Sequence, residues 1–439
     1  MNYTPAAAAA AAAGSGTTTV FPQFFTIGNE PIDLVVQDIA VIMVVAAVML
    51  VIAFKLRQPM VIGYIGAGMI IGPFTPPFSL VQSPETLNLF AELGIIMLLF
   101  VAGTELPIAK LRSVGKVSII TALAESLGTL LIVFFIAESF GFSLYDSLFL
   151  ALALSITSTV VTIRILEDVG LIRDKSSTLI LSILIVEDLV AISALGILQS
   201  VVTTGGGGSV SILNVVTSLA LVGSFIAGTI IIGSKLVPRI IDRAGRTNDY
   251  ALLLITILSL AFGLSFIANG IGVSVVIGAF LAGVLVAESK SAAVARIITI
   301  PLRDMFAALF FISIGALMDV SLIPLFIVPA VVLILSSFAS KFLIVLGILV
   351  RARFDSTTAL RAGLGISATK GELSLVVAKG GQDVGAITAP ILPILGVVTI
   401  VTTFIGPFII RVGSRFKLAE PTEEEEEDSK KKERESEET

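Results

Sequence analysis

The stretch Leu179-Ile-Leu-Ser-Ile-Leu-Ile-Val-Glu187-Asp188-Leu-Val-Ala-Ile-Ser-Ala-Leu-Gly-Ile197 is apolar on both sides of two adjacent acids. An apolar run of about 20 residues crosses a bilayer core of about 30 Å as a helix. Asp188 falls midway along the run, so the two carboxyls belong near the bilayer centre. Insertion scales make a central acid unfavourable by roughly 2.5–3.5 kcal/mol. Two such groups are not kept for packing. A carboxyl removed from water holds a proton more readily, and two neighbouring carboxyls repel one another. Such a pair can bind a proton near neutral pH and give it up for a small cation. Adjacent helical positions point about 100° apart, so the two acids need not do the same job.

The pattern extends outward from this helix. Apolar runs lie near 33–54, 59–73, 87–106, 114–138, 146–166, 177–200, 211–237, 249–267, 271–287, 304–319, 323–350, 357–379 and 387–410. They predict an all-α polytopic membrane protein with about 13 transmembrane helices. Composition agrees: 56% of the 439 residues are hydrophobic, 14% are charged, and mean hydropathy is +1.04. Cysteine, histidine and tryptophan are absent, so disulfides and thiol chemistry are excluded. Without histidine, a proton carried near neutral pH must ride on a carboxylate or a lysine in an unusual environment.

Nearly all of the 28 Lys and Arg fall in alternate loops or in the C-terminal tail. The set runs from Lys55 and Arg57, through the cluster Lys235, Arg239, Arg243 and Arg246, to Arg411, Arg415 and Lys417. That side is expected to be cytoplasmic, which puts the N-terminus outside and the C-terminus inside the cell membrane. The opposite loops hold only Lys379, while Lys341 and Lys370 lie inside spans. Residues 1–32, with the run Ala6 to Ala13, read as an extracellular extension lacking the basic start of a secretory signal. Residues 413–439, with Glu423 to Glu427 and then Lys430 to Lys432, read as a charged cytoplasmic tail.

An internal repeat organises the rest. Gly66-Ala67 recurs as Gly278-Ala279, Gly103 as Gly315, and Leu152-Ala-Leu-Ser155-Ile-Thr157 as Leu364-Gly-Ile-Ser367-Ala-Thr369, all at an offset of 212. Copies seven spans apart have opposite orientations, so the reading is two inverted six-helix repeats, 33–202 and 241–412, joined by a linker helix over 203–240. The hydroxyl-rich Ser155, Thr157 and Ser158, and Ser367, Thr369, Lys370 and Glu372 in the mate, are expected where helices unwind. Non-helical backbone at membrane depth survives beside protein or a water-filled cavity. Lys341 is the expected counter-charge to Glu187 or Asp188. Lys370 and Glu372 could pair with each other. Glu105 reads as interfacial, while Glu92 and Glu125 are ambiguous.

Several motifs in this order carry a family resemblance. They are Glu92-Leu-Gly94, Gly103-Thr-Glu105-Leu106, Ser155-Ile-Thr157-Ser158, Val186-Glu187-Asp188, Phe311-Ile-Ser-Ile-Gly315 and Lys370-Gly-Glu372. From about residue 35 to 410 the chain resembles the monovalent cation:proton antiporter-2 family. The resemblance implies crossed discontinuous helices in a core packed on a dimerisation domain, and a homodimer. It also implies Asp188 as the residue that takes Na+ or H+ in turn, with Thr157 and Ser158 beside the ion and Lys341 as the membrane lysine. The acidic residue preceding Asp188 resembles electrogenic sodium exchangers, so sodium leads and potassium is the alternative. No cofactor, enzymatic activity or nucleic-acid partner is expected; the surroundings are the lipid bilayer. A cation channel would need a continuous polar pathway, and no long filter loop is visible. An intramembrane hydrolase lacks its histidines, and the two Asp-bearing signatures of a membrane aspartyl protease are not evident.

Overall fold

The computed structural model describes residues 31–56, 58–74, 80–81, 83–106, 114–172, 174–205, 212–247 and 249–414. The alanine-rich extension up to residue 30 and the acidic tail from residue 415 lie outside the described residues. The described chain is helical throughout. In order the helices are α1 (Pro31–Lys55), α2 (Met60–Ile71), α3 (Pro84–Thr104), α4 (Lys116–Ser139), α5 (Leu144–Leu154), α6 (Thr159–Asp168), α7 (Lys175–Gly205) and α8 (Ile212–Gly245). The second half holds α9 (Tyr250–Gly270), α10 (Val275–Ala287), α11 (Ala292–Ala316), α12 (Ile323–Arg351), α13 (Ser356–Ser367), α14 (Glu372–Asp383) and α15 (Ile391–Ser414).

Short oxygen-bearing side chains set many helix starts. Ser83, Ser143, Ser158, Asp249, Ser274 and Asp355 each accept a hydrogen bond from a backbone N–H of the first turn. Among the described residues ten stretches, counting α5 and α6 as one, are long and apolar enough to cross a membrane, and α2 and α10 are shorter apolar helices. Long helices such as α1, α8 and α12 leave many Val, Ile, Leu and Phe side chains exposed, as a lipid-facing surface requires.

The helices pack in two groups. One comprises α1, α2, α3, α9, α10 and α11; the other comprises α4 to α7 and α12 to α15. Contacts between the groups include α2 with α15 and α7 with α10, while α8 lies against α7, α9 and α10. Many packing contacts come in matched pairs: α2 on α11 with α3 on α10, α4 on α5 with α12 on α13, and α1 on α2 with α9 on α10.

In the first group glycines bring backbones together. Gly103 of α3 faces Gly283 of α10, and Gly68 of α2 faces Gly315 of α11; a Cβ on any of the four would overlap the opposite backbone. The second group is built around two interrupted helices. Residues 155–158 separate α5 from α6, and residues 368–371 separate α13 from α14. The two breaks touch: the Ser158 N–H donates to the Thr369 carbonyl at 3.2 Å, and the Thr162 and Thr369 hydroxyls lie 3.0 Å apart. Gly371 sits against Ser158 so closely that a Cβ there would overlap the serine side chain.

Candidate functional site

Each break exposes helix ends that lack intrahelical partners, and charged side chains meet them according to sign. The carbonyl ends of α5 and α13 carry partial negative charge, and the amide ends of α6 and α14 partial positive charge. Lys370 donates its ammonium to the Leu154 carbonyl, the end of α5, at 2.6 Å. Ser337 of α12 donates to the same oxygen at 2.6 Å, and Ser374 donates to the Ala153 carbonyl at 2.7 Å. At the amide ends stand acids. Glu372 is the first residue of α14, and Asp188 of α7 accepts from the hydroxyl of Thr159, the first residue of α6, at 2.9 Å.

Lys341 of α12 is fully buried. Its ammonium lies 2.9 Å from Glu187 Oε1, 3.1 Å from Glu125 Oε2 and 2.6 Å from the Thr157 hydroxyl. Thr157 also gives its backbone N–H to Glu187. Its hydroxyl has one proton to donate, and the Ile366 carbonyl at 2.6 Å is nearer than Glu187 Oε2 at 3.2 Å. Thr157 thus ties α7, α12 and the carbonyl end of α13 together. Asp188 stands apart from this cluster. One carboxylate oxygen takes the Thr159 hydroxyl, and the other, Oδ1, is buried without a hydrogen-bond partner.

The geometry corrects several sequence expectations. Lys341 meets Glu187, as expected, but its second acid is Glu125 of α4 rather than Asp188. Lys370 and Glu372 do not pair; Lys370 serves a carbonyl end, and Glu372 accepts from Ser158 Oγ at 3.3 Å. Of the hydroxyls expected beside the ion, Thr157 lies against Glu187 and Lys341, and Ser158 caps α6, whereas Thr159 touches Asp188. Lys379, read as a loop residue, is buried inside α14 and bound to Asp383 one turn on. Ser155 and Ser367 do close helix ends, donating back to Leu152 and Gly363 carbonyls at 2.8 and 2.6 Å. Glu105 bridges to Arg296 at 2.7 Å on the exposed rim. Sequence reasoning left Glu125 ambiguous; its place in the middle of an apolar span is the signal that could have singled it out.

Among the described residues, no three His, Cys, Asp or Glu side chains cluster as a multidentate metal centre.

Residues 40–412 match the family described as sodium/hydrogen exchanger, transmembrane. The chain belongs to this family. Its members are secondary transporters that exchange cations for protons, not enzymes. The putative cation/proton antiporter YbaL of Escherichia coli K12 is 34% identical over 302 residues, covering 68% of this chain and 53% of that protein. The chain thus spans about half the length of that relative. The K(+)/H(+) antiporter subunit KhtU of Bacillus subtilis is 25% identical over 391 residues, covering 87% of this chain and 94% of that one. The high-affinity Na(+)/H(+) antiporter NhaS3 of Synechocystis is 28% identical over 331 residues, covering 74% and 70%. The solved sodium proton antiporter MjNhaP1 of Methanocaldococcus jannaschii superposes with a TM-score of 0.65 at 17% identity, covering 87% of this chain and 96% of that one. At that identity the likeness is one of fold.

Proposed function

We propose that this chain exchanges a monovalent cation for protons across the cell membrane by alternating access, with Asp188 as the group that takes cation or proton in turn. One observation carries the reading: Asp188 lies at the crossing of two interrupted helices with one carboxylate oxygen on Thr159 and the other buried and unpartnered. A buried acceptor without a donor is unfavourable until a proton or a cation fills it. Glu187, held by Lys341 and Thr157, then keeps the lysine in place beside the exchanging site and shares its charge.

The inverted-repeat reading accounts for the matched packing pairs, with thirteen crossings, α8 as the connecting helix, and the basic loops inside the cell. We take the functional unit to be a homodimer in the bilayer. Sodium is the favoured cation because the residue before Asp188 is acidic. Potassium is the second reading, favoured by the near full-length match to a relative described as a K(+)/H(+) antiporter subunit.

The test is reconstitution in vesicles with a trapped pH dye. A sodium or potassium gradient should drive a change of internal pH in the wild type, and Asp188→Asn should abolish it while the protein still inserts. The amide has nearly the same size but cannot cycle a proton. Substantial cation-driven proton movement in the variant would remove Asp188 from this role.

A further inference from the structure

Glu125 contributes a second buried acid to a cluster that holds a single ammonium. It projects from α4, is fully buried, and places Oε2 at 3.1 Å from Lys341 Nζ. Around that ammonium the two carboxyls are supported unequally. Glu187 receives the lysine in hydrogen-bonding geometry and also the Thr157 N–H. Glu125 Oε2 has only the ion pair with the ammonium, and Oε1 takes the hydroxyl of the adjacent Ser126 at 3.0 Å. The charges that face Glu125 are few. Lys341 comes from α12 and Glu187 from α7; on α5, also packed against α4, the one acid is Asp146, bound to Ser143 and Thr388 at the helix's far end. Lys370, from the second break, has its ammonium on the Leu154 carbonyl.

With both acids ionised, the buried triad Glu125, Lys341 and Glu187 has one more negative than positive charge. An uncompensated charge in such surroundings is removed by taking up a proton. Of the two acids, Glu187 accepts hydrogen bonds from both Lys341 and Thr157, whereas Glu125 has the carboxyl with fewer donors, and it is there that a proton is held.

We propose that Glu125 is a second proton-carrying residue of the exchange site, binding and releasing a proton in step with Asp188. This deepens the antiport reading and rests on it. When a cation binds at Asp188, the Glu125 carboxyl gives up its proton to water on the side then open, and it takes one up again when the cation departs. Each cation is then exchanged for two protons, and the cycle moves net charge.

The purified full-length protein in weakly buffered detergent, titrated with sodium chloride and separately with potassium chloride, provides the decisive count. About two protons should be released per cation bound, as linkage between the sites requires. A ratio of one overturns the role of Glu125 while leaving antiport at Asp188 intact; no proton release with either salt overturns the antiport reading itself. In vesicles, the wild-type equilibrium gradient should shift with an imposed membrane potential. Glu125→Gln should lose that shift and release one proton per cation, and Glu125→Asp should restore both. Voltage dependence that survives in Glu125→Gln, or fails to appear in the wild type, counts against the proposal. The wild-type proton count decides the matter even where Glu125→Gln does not fold.

Discussion

Lys370 gives its ammonium to the carbonyl of Leu154, so the side chain of one interrupted helix closes the backbone end of the other. The two breaks lie far apart in sequence, yet each supplies what the other lacks. The Thr157 hydroxyl does the same in reverse for the Ile366 carbonyl.

Lys370→Met should therefore destabilise the protein by about 1.5–3 kcal/mol, the range for a hydrogen bond from a charged group. Lys370→Gln, which keeps a donor, should recover part of the loss. Thermal unfolding in detergent gives the comparison, and equal stability of Lys370→Met and wild type would show that the Leu154 carbonyl finds another donor.

Lys341→Met should be the more damaging change. Removing one partner of a buried ionic cluster costs about 3–5 kcal/mol, because charge is left without compensation. Neutralising the acids in the same chain, as Glu125→Gln and Glu187→Gln, should restore most of the stability without restoring transport. A triple variant no more stable than Lys341→Met would mean that the lysine acts through packing.

Thr159→Val removes the hydroxyl that Asp188 accepts from. The half-saturating cation concentration should rise about tenfold, corresponding to roughly 1.4 kcal/mol, with Thr159→Ser close to wild type. Vesicle transport across a concentration series measures it, and an unchanged half-saturation would separate this hydroxyl from the ion.

Gly371→Ala should be poorly tolerated although the backbone there is extended and accepts any residue. The new methyl would run into Ser158, at a cost of about 1–3 kcal/mol. Adding Ser158→Gly removes the obstacle, so the double variant should be more stable than Gly371→Ala alone. Additive losses in the double-mutant cycle would contradict the contact.

Asp355 caps α13 and accepts the Thr358 N–H at 2.8 Å. Partial burial pushes its carboxyl up, but hydrogen bonding from Thr358 and the charge of nearby Lys175 outweigh this and hold it below the ordinary aspartate range. A lowered folded-state pKa means the stabilisation is present above the unfolded value and fades as pH falls through the folded one. Asp355→Ala should cost about 1 kcal/mol at neutral pH. The difference from wild type should shrink in acid, below the usual aspartate pKa, and unfolding followed across that window checks it.

Much of this site was legible because charge is conspicuous in apolar runs. Glu187, Asp188, Lys341, Lys370 and Glu372 declared themselves by composition, and the helix breaks by clustered hydroxyls. What composition could not give was direction. After a break the helical phase starts afresh, so counting from Ser155 does not say that Thr159, not Ser158, faces Asp188. Glu125 was visible, but its role depends on which helix packs on α4, and nothing local specifies α12. Lys379 was misplaced because Gly380-Gly381-Gln382 resembles a loop; Asp383, one turn on, receives its ammonium and the helix continues. The glycine matches Gly103 with Gly315 hinted at symmetry, while the contacts actually made are Gly103 to Gly283 and Gly68 to Gly315.

Those four glycines also decide where motion can occur. Where side chains interdigitate, helices can slide by exchanging rotamers; where backbone rests on backbone, nothing is left to rearrange. Helices α2, α3, α10 and α11 are joined in the second way. On the proposed cycle they serve as the stator. The travelling part of that cycle is then the half bearing Asp188 and Lys341, and its sliding seams include the contacts of α2 with α15 and α7 with α10.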